Sequence, residues 1–216
     1  LIPDFSYVLQ NSHKLKGIFL THAHEDHIGA IPYLLQDLPQ TPVYTSRIGV
    51  EMLKEKFQEK VFKSFGANAK IHTFDPSKPV VSFKNFKIKA VNVMHSIPEA
   101  QGFAINTPEG LVMHMGEYKF DPTPVLEDPI DKSELSAYGN KGVSLLVSDC
   151  LHSTVPGFTK SEKTLSQTYL DLMAAAKGKQ VFVTMISSSV SRLYQVIDAA
   201  HRHGRKIVVN GRSLEK

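Results

Sequence analysis

Three histidines and two acids fall inside one string, Thr21-His22-Ala23-His24-Glu25-Asp26-His27-Ile28-Gly29, directly after the apolar run Gly17-Ile18-Phe19-Leu20. Neutral imidazole together with carboxylate suits zinc, manganese and other borderline or hard divalent cations. Side chains of an extended chain repeat every two residues, so His22 and His24 would present both rings on one side. Asp26 and His27, where the chain turns into a helix, would face a second position nearby. Ligands divided this way build a two-metal site, which makes a nucleophile from water and clamps a phosphate. A solvated His-rich turn is the bland alternative, and ligands of these types at this spacing weigh against it.

The elements that must position the string can be read on either side of it. Residues 17–21 form a short buried-strand pattern. Residues 28–35 start a helix, with Pro32 tolerable in its first turn. Pro42-Val43-Tyr44-Thr45 is a second strand, and residues 48–62 carry the three- and four-residue apolar steps of an amphipathic helix. From 70 to 115 the pattern is β. Residues 86–93 alternate with a period of two, and 103–106 and 111–114 flank Thr107-Pro108-Glu109-Gly110, a hairpin turn. Residues 121–142, rich in Pro, Asp and Ser, read as a long loop or linker. Residues 143–148 read as a buried strand ending at Asp149, with Cys150 in the core. Thr159-Lys160-Ser161-Glu162 matches a capping box opening a helix to about residue 176. Residues 181–184, 193–203 and 207–209 read as one βαβ unit. The class is α/β, with a boundary between Asp121 and Gly142 or shortly after Asp149.

At 216 residues, 42% hydrophobic and 21% charged, the composition suits a globular chain with a sizeable core. A net charge of +4 is compatible with a polyanionic partner without indicating one. The single cysteine excludes an internal disulfide and a Cys-rich zinc module. No apolar run approaches the roughly 18–20 residues needed to span a bilayer. Leu1-Ile2-Pro3-Asp4 carries neither an initiator Met nor a secretory apolar region, and the expectation is a cytoplasmic piece of a longer chain.

The histidine string resembles that of the metallo-β-lactamase superfamily, and the resemblance runs along nearly the whole chain. Ile2-Pro3-Asp4-Phe5, Ile31-Pro32-Tyr33-Leu34-Leu35, His95-Ser96-Ile97-Pro98 and Gly116-Glu117-Tyr118-Lys119-Phe120-Asp121 follow in order. Ser148-Asp149, Pro156-Gly157-Phe158-Thr159 with Ser161-Glu162, and Gly211-Arg212-Ser213 complete the series. This order is similar to that of the bacterial ribonuclease J family, the branch with an inserted β-CASP domain. The resemblance implies a partial αββα sandwich leading into the start of an α/β β-CASP domain. Residues 1–149 would be part of the first, and 150–216 the end of that segment and the start of the second.

Carried over residue by residue, the resemblance implies His22, His24 and His95 as ligands of one metal and Asp26 and His27 as ligands of another. Asp26 and Asp149 are the implied catalytic acids, Asp149 orienting a histidine supplied from far downstream. The implied cofactors are two divalent ions, zinc first, with manganese or magnesium as alternatives. RNA is the implied partner, together with a homo-oligomer or a hetero-oligomer with a paralogue, and no membrane. The implied reaction is 5′-to-3′ exonucleolytic, and also endonucleolytic, hydrolysis of RNA in maturation and decay, including rRNA processing. Two rivals stand beside it. One is a weakly active or inactive paralogue serving as an assembly subunit. The other is a small-molecule metallohydrolase, such as a lactamase or thioesterase, which would lack the 156–162 stretch and the closing Gly-Arg-Ser.

One position departs from the family pattern: an Asp bridges both ions there, and this chain has Glu117. The extra methylene moves the carboxylate by roughly one bond length, while such sites tolerate only about 0.5 Å. The expectation is that Glu117 contacts one metal or neither and that the second ion is weak or absent. The upstream strands, the rest of β-CASP and the remaining downstream ligands are expected to lie outside these 216 residues, leaving the site incomplete. Other residues receive structural readings. His13 and His72 belong on the surface, and His114 in a hairpin strand. His201 and His203, with Arg202, Arg205 and Lys206, form a helix end, and Ser187-Ser188-Ser189 with Ser191 and Arg192 a helix cap. Lys119 and Asp121 read equally as a salt-bridged loop or as RNA-facing groups.

Overall fold

The computed structural model describes residues 2–66, 68–74, 81–211 and 214, so Arg212 and Ser213 of the closing motif lie outside the described residues. The chain divides into two units, the first drawn from 1–93, 99–118 and 131–149, the second from 94–98, 119–130 and 150–216.

In the first unit, α1 (Ser6–Gln10) and a 3-10 turn lead into β1 (Ile18–Phe19). The histidine string follows and closes into α2 (Glu25–Ile28). Next come α3 (Ile31–Asp37), with Pro32 in its first turn, and β2 (Val43–Thr45). Ser46 caps α4 (Arg47–Lys56), its Oγ accepting the Gly49 N–H at 3.1 Å. A carboxylate oxygen of Glu99 accepts the Ile48 N–H at 3.2 Å at the same helix start. After α5 (Lys63–Gly66), β3 (Ile71–Thr73) pairs in parallel with β2, and β2 with β1, in the order β1-β2-β3. Helical crossovers between these strands are what parallel pairing requires.

A second sheet contains β4 (Val81–Ser82), β5 (Lys87–Asn92), β6 (Gln101–Thr107), β7 (Gly110–His114) and β8 (Leu145–Val147) in that order. Its pairs are antiparallel except β7 with β8. The expected hairpin joins β6 and β7, with Gly110 at φ +128° taking a turn conformation that other residues rarely adopt. Phe19 and Tyr44 of the first sheet stack at 4.7 Å, and Phe19 meets Phe103 of the second edge-on at 5.8 Å. Phe74, Ile88 and Ala90 complete this shared cluster. Each buried aliphatic or aromatic side chain contributes about 1.5–3 kcal/mol, so this seam holds the sheets face to face.

The stretch read as a loop or linker contains α6 (Lys132–Lys141). Asp131 caps it by accepting the Ser133 and Glu134 N–H groups at 2.8 and 3.3 Å. The helix buries no residue, so no apolar stripe announced it in the sequence. Strand β8 is also corrected: Leu145, Leu146 and Val147 are exposed rather than buried. Cys150, read as core, is exposed as well, since it lies in the turn that leaves this edge strand.

The second unit has α7 (Thr164–Ala175) and α8 (Val190–Arg202), packed through Met173, Ala199 and Ala200. Helix α7 starts later than the capping box placed it, because Ser161 and Glu162 are engaged elsewhere. Ser189 precedes α8 but makes no side-chain cap. The flanking strands of the expected βαβ unit are not formed among the described residues. A strand needs a hydrogen-bonded neighbour; Phe182 is 83% exposed and Val208 90%. Arg205, from the basic cluster, donates to the carbonyls of Met173, Ala176 and Lys179 and closes the end of α7. Arg202 pairs with Asp198 one turn earlier at 2.9 Å.

Candidate metal centre

Strand β1 is held by its parallel neighbour as far as the Leu20 N–H, which donates to the Tyr44 carbonyl at 2.9 Å. The chain stays extended past the strand. His22, 1% exposed, and His24 turn their rings to one side as alternation predicts, with His22 Nε2 3.0 Å from His24 Nδ1. At His24 (φ −67°, ψ 152°) the backbone enters α2, whose single turn brings Asp26 and His27 round. His27 Nε2 stands 3.6 Å from Asp26 Oδ2, and the His22 and His27 ring centroids are 4.0 Å apart. The turn is tight: a Cβ at Gly29 would fall 2.5 Å from the Glu25 carbonyl oxygen. Glu25 itself is drawn off by Lys56, whose Nζ donates to its carboxylate at 2.6 Å. Of the two adjacent acids, Asp26 therefore faces the histidines.

Glu117 arrives from the second sheet, at the end of β7. Gly116 takes φ +62°, and a Cβ there would meet Thr21 Cβ at 3.0 Å and the Gln101 carbonyl at 3.2 Å. Only glycine allows the backbone so near Thr21. The Gln101 N–H donates to the Thr21 carbonyl at 2.7 Å, tying the two sheets at the same point. Glu117 Oε1 lies 3.0 Å from His27 Nε2, and Oε2 lies 3.8 Å from His22 Nε2. The two oxygens thus lie nearest two different histidines.

The result is two donor groups sharing one residue. His22, His24 and Glu117 each bring a ligand atom within 4.8 Å of the others, and so do Asp26, His27 and Glu117. Imidazole nitrogen with carboxylate oxygen is a donor set for a divalent metal ion. The surroundings fit that use. Thr21 Oγ1 lies 3.0 Å from His22 Nδ1. With Nδ1–H donating to that hydroxyl, the lone pair of Nε2 faces the group, as a metal-ligating histidine requires. Thr21 and Gly116 were not singled out in the sequence as supporting residues. Their only signal was adjacency to a histidine and a glutamate.

His95 is half-buried in the 94–98 segment, two residues beyond Val93 and shortly after β5, as the strand pattern placed it. Asp149 follows β8, whose parallel register with β7 (His114 opposite Val147) puts it at the same end of the sheet as Glu117. Among the described residues it belongs to neither donor group.

Lys119 and Asp121 resolve into a structural clamp within the second unit. Asp121, 2% exposed, accepts the Thr123 and Glu162 N–H groups at 2.9 and 2.8 Å. Lys119 Nζ donates to the Lys160 carbonyl at 2.7 Å and to Glu162 at 3.2 Å. Arg192 donates to both oxygens of the same glutamate at 2.9 and 3.2 Å. Burial by itself would raise the Asp121 carboxyl. Hydrogen bonds from Ser161, Glu162 and Thr123, with the Lys119 charge, outweigh it and hold the group below the usual range. The Arg192 hydrogen bond does the same for Glu162 against burial, assisted by Lys119.

The chain is similar to known proteins along its whole length. The family described as beta-lactamase superfamily domain matches residues 3–135, and ribonuclease J, beta-CASP domain, matches residues 178–216. A Ribonuclease J of Helicobacter pylori (strain ATCC 700392 / 26695) is 41% identical over 216 residues, covering 100% of this chain and 31% of that protein. Ribonuclease J2 of Bacillus subtilis (strain 168) is 36% identical over 216 residues, covering 100% of this chain and 38% of that protein. The chain thus spans well under half the length of these relatives. A crystal structure of a protein of unknown function from Enterococcus faecalis V583 shares the fold, with a TM-score of 0.60 at 19% identity. It covers 84% of this chain and 44% of that one. Among the described residues, no helix is long and apolar enough to cross a membrane. With the family match covering more than half of its length and the His-carboxylate rim at the ends of its strands, the chain belongs to the β-lactamase superfamily.

Proposed function

We propose that this chain is part of a two-metal ribonuclease of the ribonuclease J type, hydrolysing RNA phosphodiesters from the 5′ end and also internally, in RNA maturation and decay. The observation that carries the reading is the pair of donor groups sharing Glu117. Residues 1–149 form part of the metallo-β-lactamase domain, and 150–216 lead into β-CASP. His22, His24 and His95 hold the first ion with one oxygen of Glu117, and Asp26 and His27 hold the second. Zinc is the first choice for this nitrogen-rich set, with manganese or magnesium as alternatives. Paired divalent ions supply an activated water and neutralise the charge that develops on a phosphate in displacement.

The chain's own residues prepare that chemistry. Thr21 holds the Nδ1 edge of the His22 ring at its hydroxyl, and Lys56 holds Glu25 away from the histidines. Asp26, with its side chain 76% exposed, stands at the open side of the site, where the substrate phosphate must enter. Asp149, at the same sheet end as Glu117, serves as the acid that orients a downstream histidine. The protein works in the cytoplasm on RNA, as a homo-oligomer or with a paralogous subunit. An assembly-only subunit was favoured by Glu117 alone, and what supports an active enzyme instead is that Glu117 faces both donor groups.

The test is incubation of the full-length protein with 5′-monophosphorylated RNA, with and without added divalent metal. Metal-dependent release of nucleotides or fragments is expected. An intact RNA in the presence of metal, with protein shown to be folded and metal-loaded, would overturn the proposal.

A further inference from the structure

Helix α6 stands over the second sheet with a polar stripe, and the sheet meets it with polar residues. Strand alternation puts Lys89, Asn106 and Leu111 on one face of that sheet. Asn106 is opposite both Lys87 and Leu111 in register, while Ile88, one position along, is buried in the core cluster on the other face. From the helix come Glu134, Tyr138 and Lys141, whose spacing of four and three residues sets them on one side. Lys89 Nζ donates to Glu134 Oε1 at 2.6 Å and ties helix to sheet. Between the two surfaces lies a cavity of about 650 Å³, lined by Lys89, Asn106, Leu111, Tyr138, Lys141 and Ser144. A helix ordinarily turns an apolar stripe to a sheet and fills the space with side chains. Here both walls are polar and the space is kept. We propose that this cavity binds a nucleoside monophosphate, with the phosphate at Lys141 and Ser144 and the base against the Tyr138 ring.

Charge, size and polar groups each narrow the ligand. The hydrogen bond to Glu134 holds the Lys89 ammonium above its usual range, and these two charges cancel. Lys141 has no ion pair among the described residues, and its Nζ stands 5.7 Å from the Tyr138 ring centroid. One positive charge is left over, and it calls for an anion. An anion past the end of α6 meets the negative end of the helix dipole, which Lys141 in the last turn offsets. Burial raises the Tyr138 phenol above its ordinary value, so the ring is neutral at physiological pH and does not repel a phosphate. Phosphate alone would leave most of the space unfilled, and the volume lies within the roughly 300–1,000 Å³ of small-molecule sites. Leu111 supplies an apolar wall and Tyr138 a ring, on which a base of any kind can stack. The Asn106 amide and the Ser144 hydroxyl make no hydrogen bond with other described residues, which leaves them for the base and the phosphate. The cavity sits at the turn end of β7 and Glu117 follows its other end. The site is therefore separate from the metal centre and does not rest on the two-metal reading.

The experiment is calorimetric titration of the full-length protein with adenosine 5′-monophosphate, adenosine and inorganic phosphate, each with and without a metal chelator. The nucleotide is expected to bind with a dissociation constant below about 1 mM, and adenosine and phosphate at least about 10-fold more weakly. The chelator should change nothing. Lys141→Met keeps the side-chain stem and removes the charge, and it should weaken the nucleotide by about 10-fold or more. Tyr138→Leu should also weaken it. Lys141 is exposed, so Lys141→Met serves should Tyr138→Leu fold poorly, which circular dichroism would reveal. Binding that is abolished by the chelator, or unchanged in Lys141→Met, would place the nucleotide elsewhere and overturn the site. Phosphate binding as tightly as the nucleotide would overturn the nucleotide assignment, and adenosine doing so would overturn the role of Lys141. No binding of the nucleotide at about 10 mM would overturn the proposal as a whole.

Discussion

Two clusters of charged and polar side chains in this molecule use similar residues to opposite ends. The rim at the ends of β1 and β7 gathers His22, His24, Asp26, His27 and Glu117, all groups that offer electron pairs once the imidazoles are neutral. The clamp of the second unit gathers Asp121 and Glu162 but supplies Lys119 and Arg192 along with them, and it adds backbone N–H donors to Asp121. The clamp thus contains its own cations, and its carboxyls are stabilised as anions inside the fold. The rim converges ligand atoms of types that suit a divalent cation. A count of charged residues would not separate the two. The identity of the positive partner does: a lysine or arginine closes a cluster on itself, whereas histidines sharing a space with carboxylates prepare it for a metal.

The comparison breaks if rim substitutions behave like clamp substitutions. His24→Ala and Asp26→Ala should each lower metal-dependent RNA cleavage of the full-length protein by about 10³-fold or more, the scale of losing a principal electrostatic contributor. Circular dichroism should be unchanged, because both side chains lie at the edge of the core. Near-normal turnover with unchanged metal content would end the two-metal assignment.

Clamp substitutions should instead appear in stability. Asp121→Ala leaves the Thr123 and Glu162 N–H groups without their acceptor and removes the carboxylate 3.7 Å from Lys119 Nζ, at a cost of about 3 kcal/mol read by urea denaturation. The same cluster sets a direction with pH. Asp121 and Glu162 are held below their ordinary values in the folded chain, so below that range the unfolded chain binds more protons. Their stabilisation is complete above the usual carboxylate range and is lost as pH falls through the lowered folded values. Wild type should therefore lose more stability than Asp121→Asn between about pH 5 and pH 3. An equal loss in both proteins would show that the clamp carboxyl is not the acid-sensitive element.

A smaller effect sharpens the boundary between ligand and support. Thr21→Val removes the hydroxyl beside His22 Nδ1 while keeping the volume, and metal affinity should fall by about 10-fold. No change by metal titration would mean that the orientation of the His22 ring is set elsewhere. Least of all should be Lys56→Ala. Its partner Glu25 has a side chain 74% exposed, and such a pair is worth about 0–1 kcal/mol, measurable only as a slight shift in thermal unfolding.

Much of the rim was legible before any coordinates. Local periodicity sufficed for His22 and His24 to share a side and for Asp26 and His27 to follow on a turn, because these relations span only a few residues. The hairpin was legible for the same reason, its turn residues and alternating flanks lying next to each other. Helix α6 was not, since a helix that buries nothing leaves no apolar pattern to detect. Strands 181–184 and 207–209 had the right composition, yet composition cannot supply a hydrogen-bonded neighbour.

The role of Glu117 divides these two kinds of knowledge. Sequence alone determined its residue type, its place after a β run and its extra methylene relative to an aspartate. Which histidines it would meet, and with which oxygen, depended on residues 90 and 95 positions earlier in the chain being brought to it by the packing of two sheets. That arrangement was decided by Gly116 seating on Thr21 and by Gln101 bonding to the same residue, contacts made across the fold. A side chain's length is written in the sequence; the distance it has to cover is set only when the sheets pack.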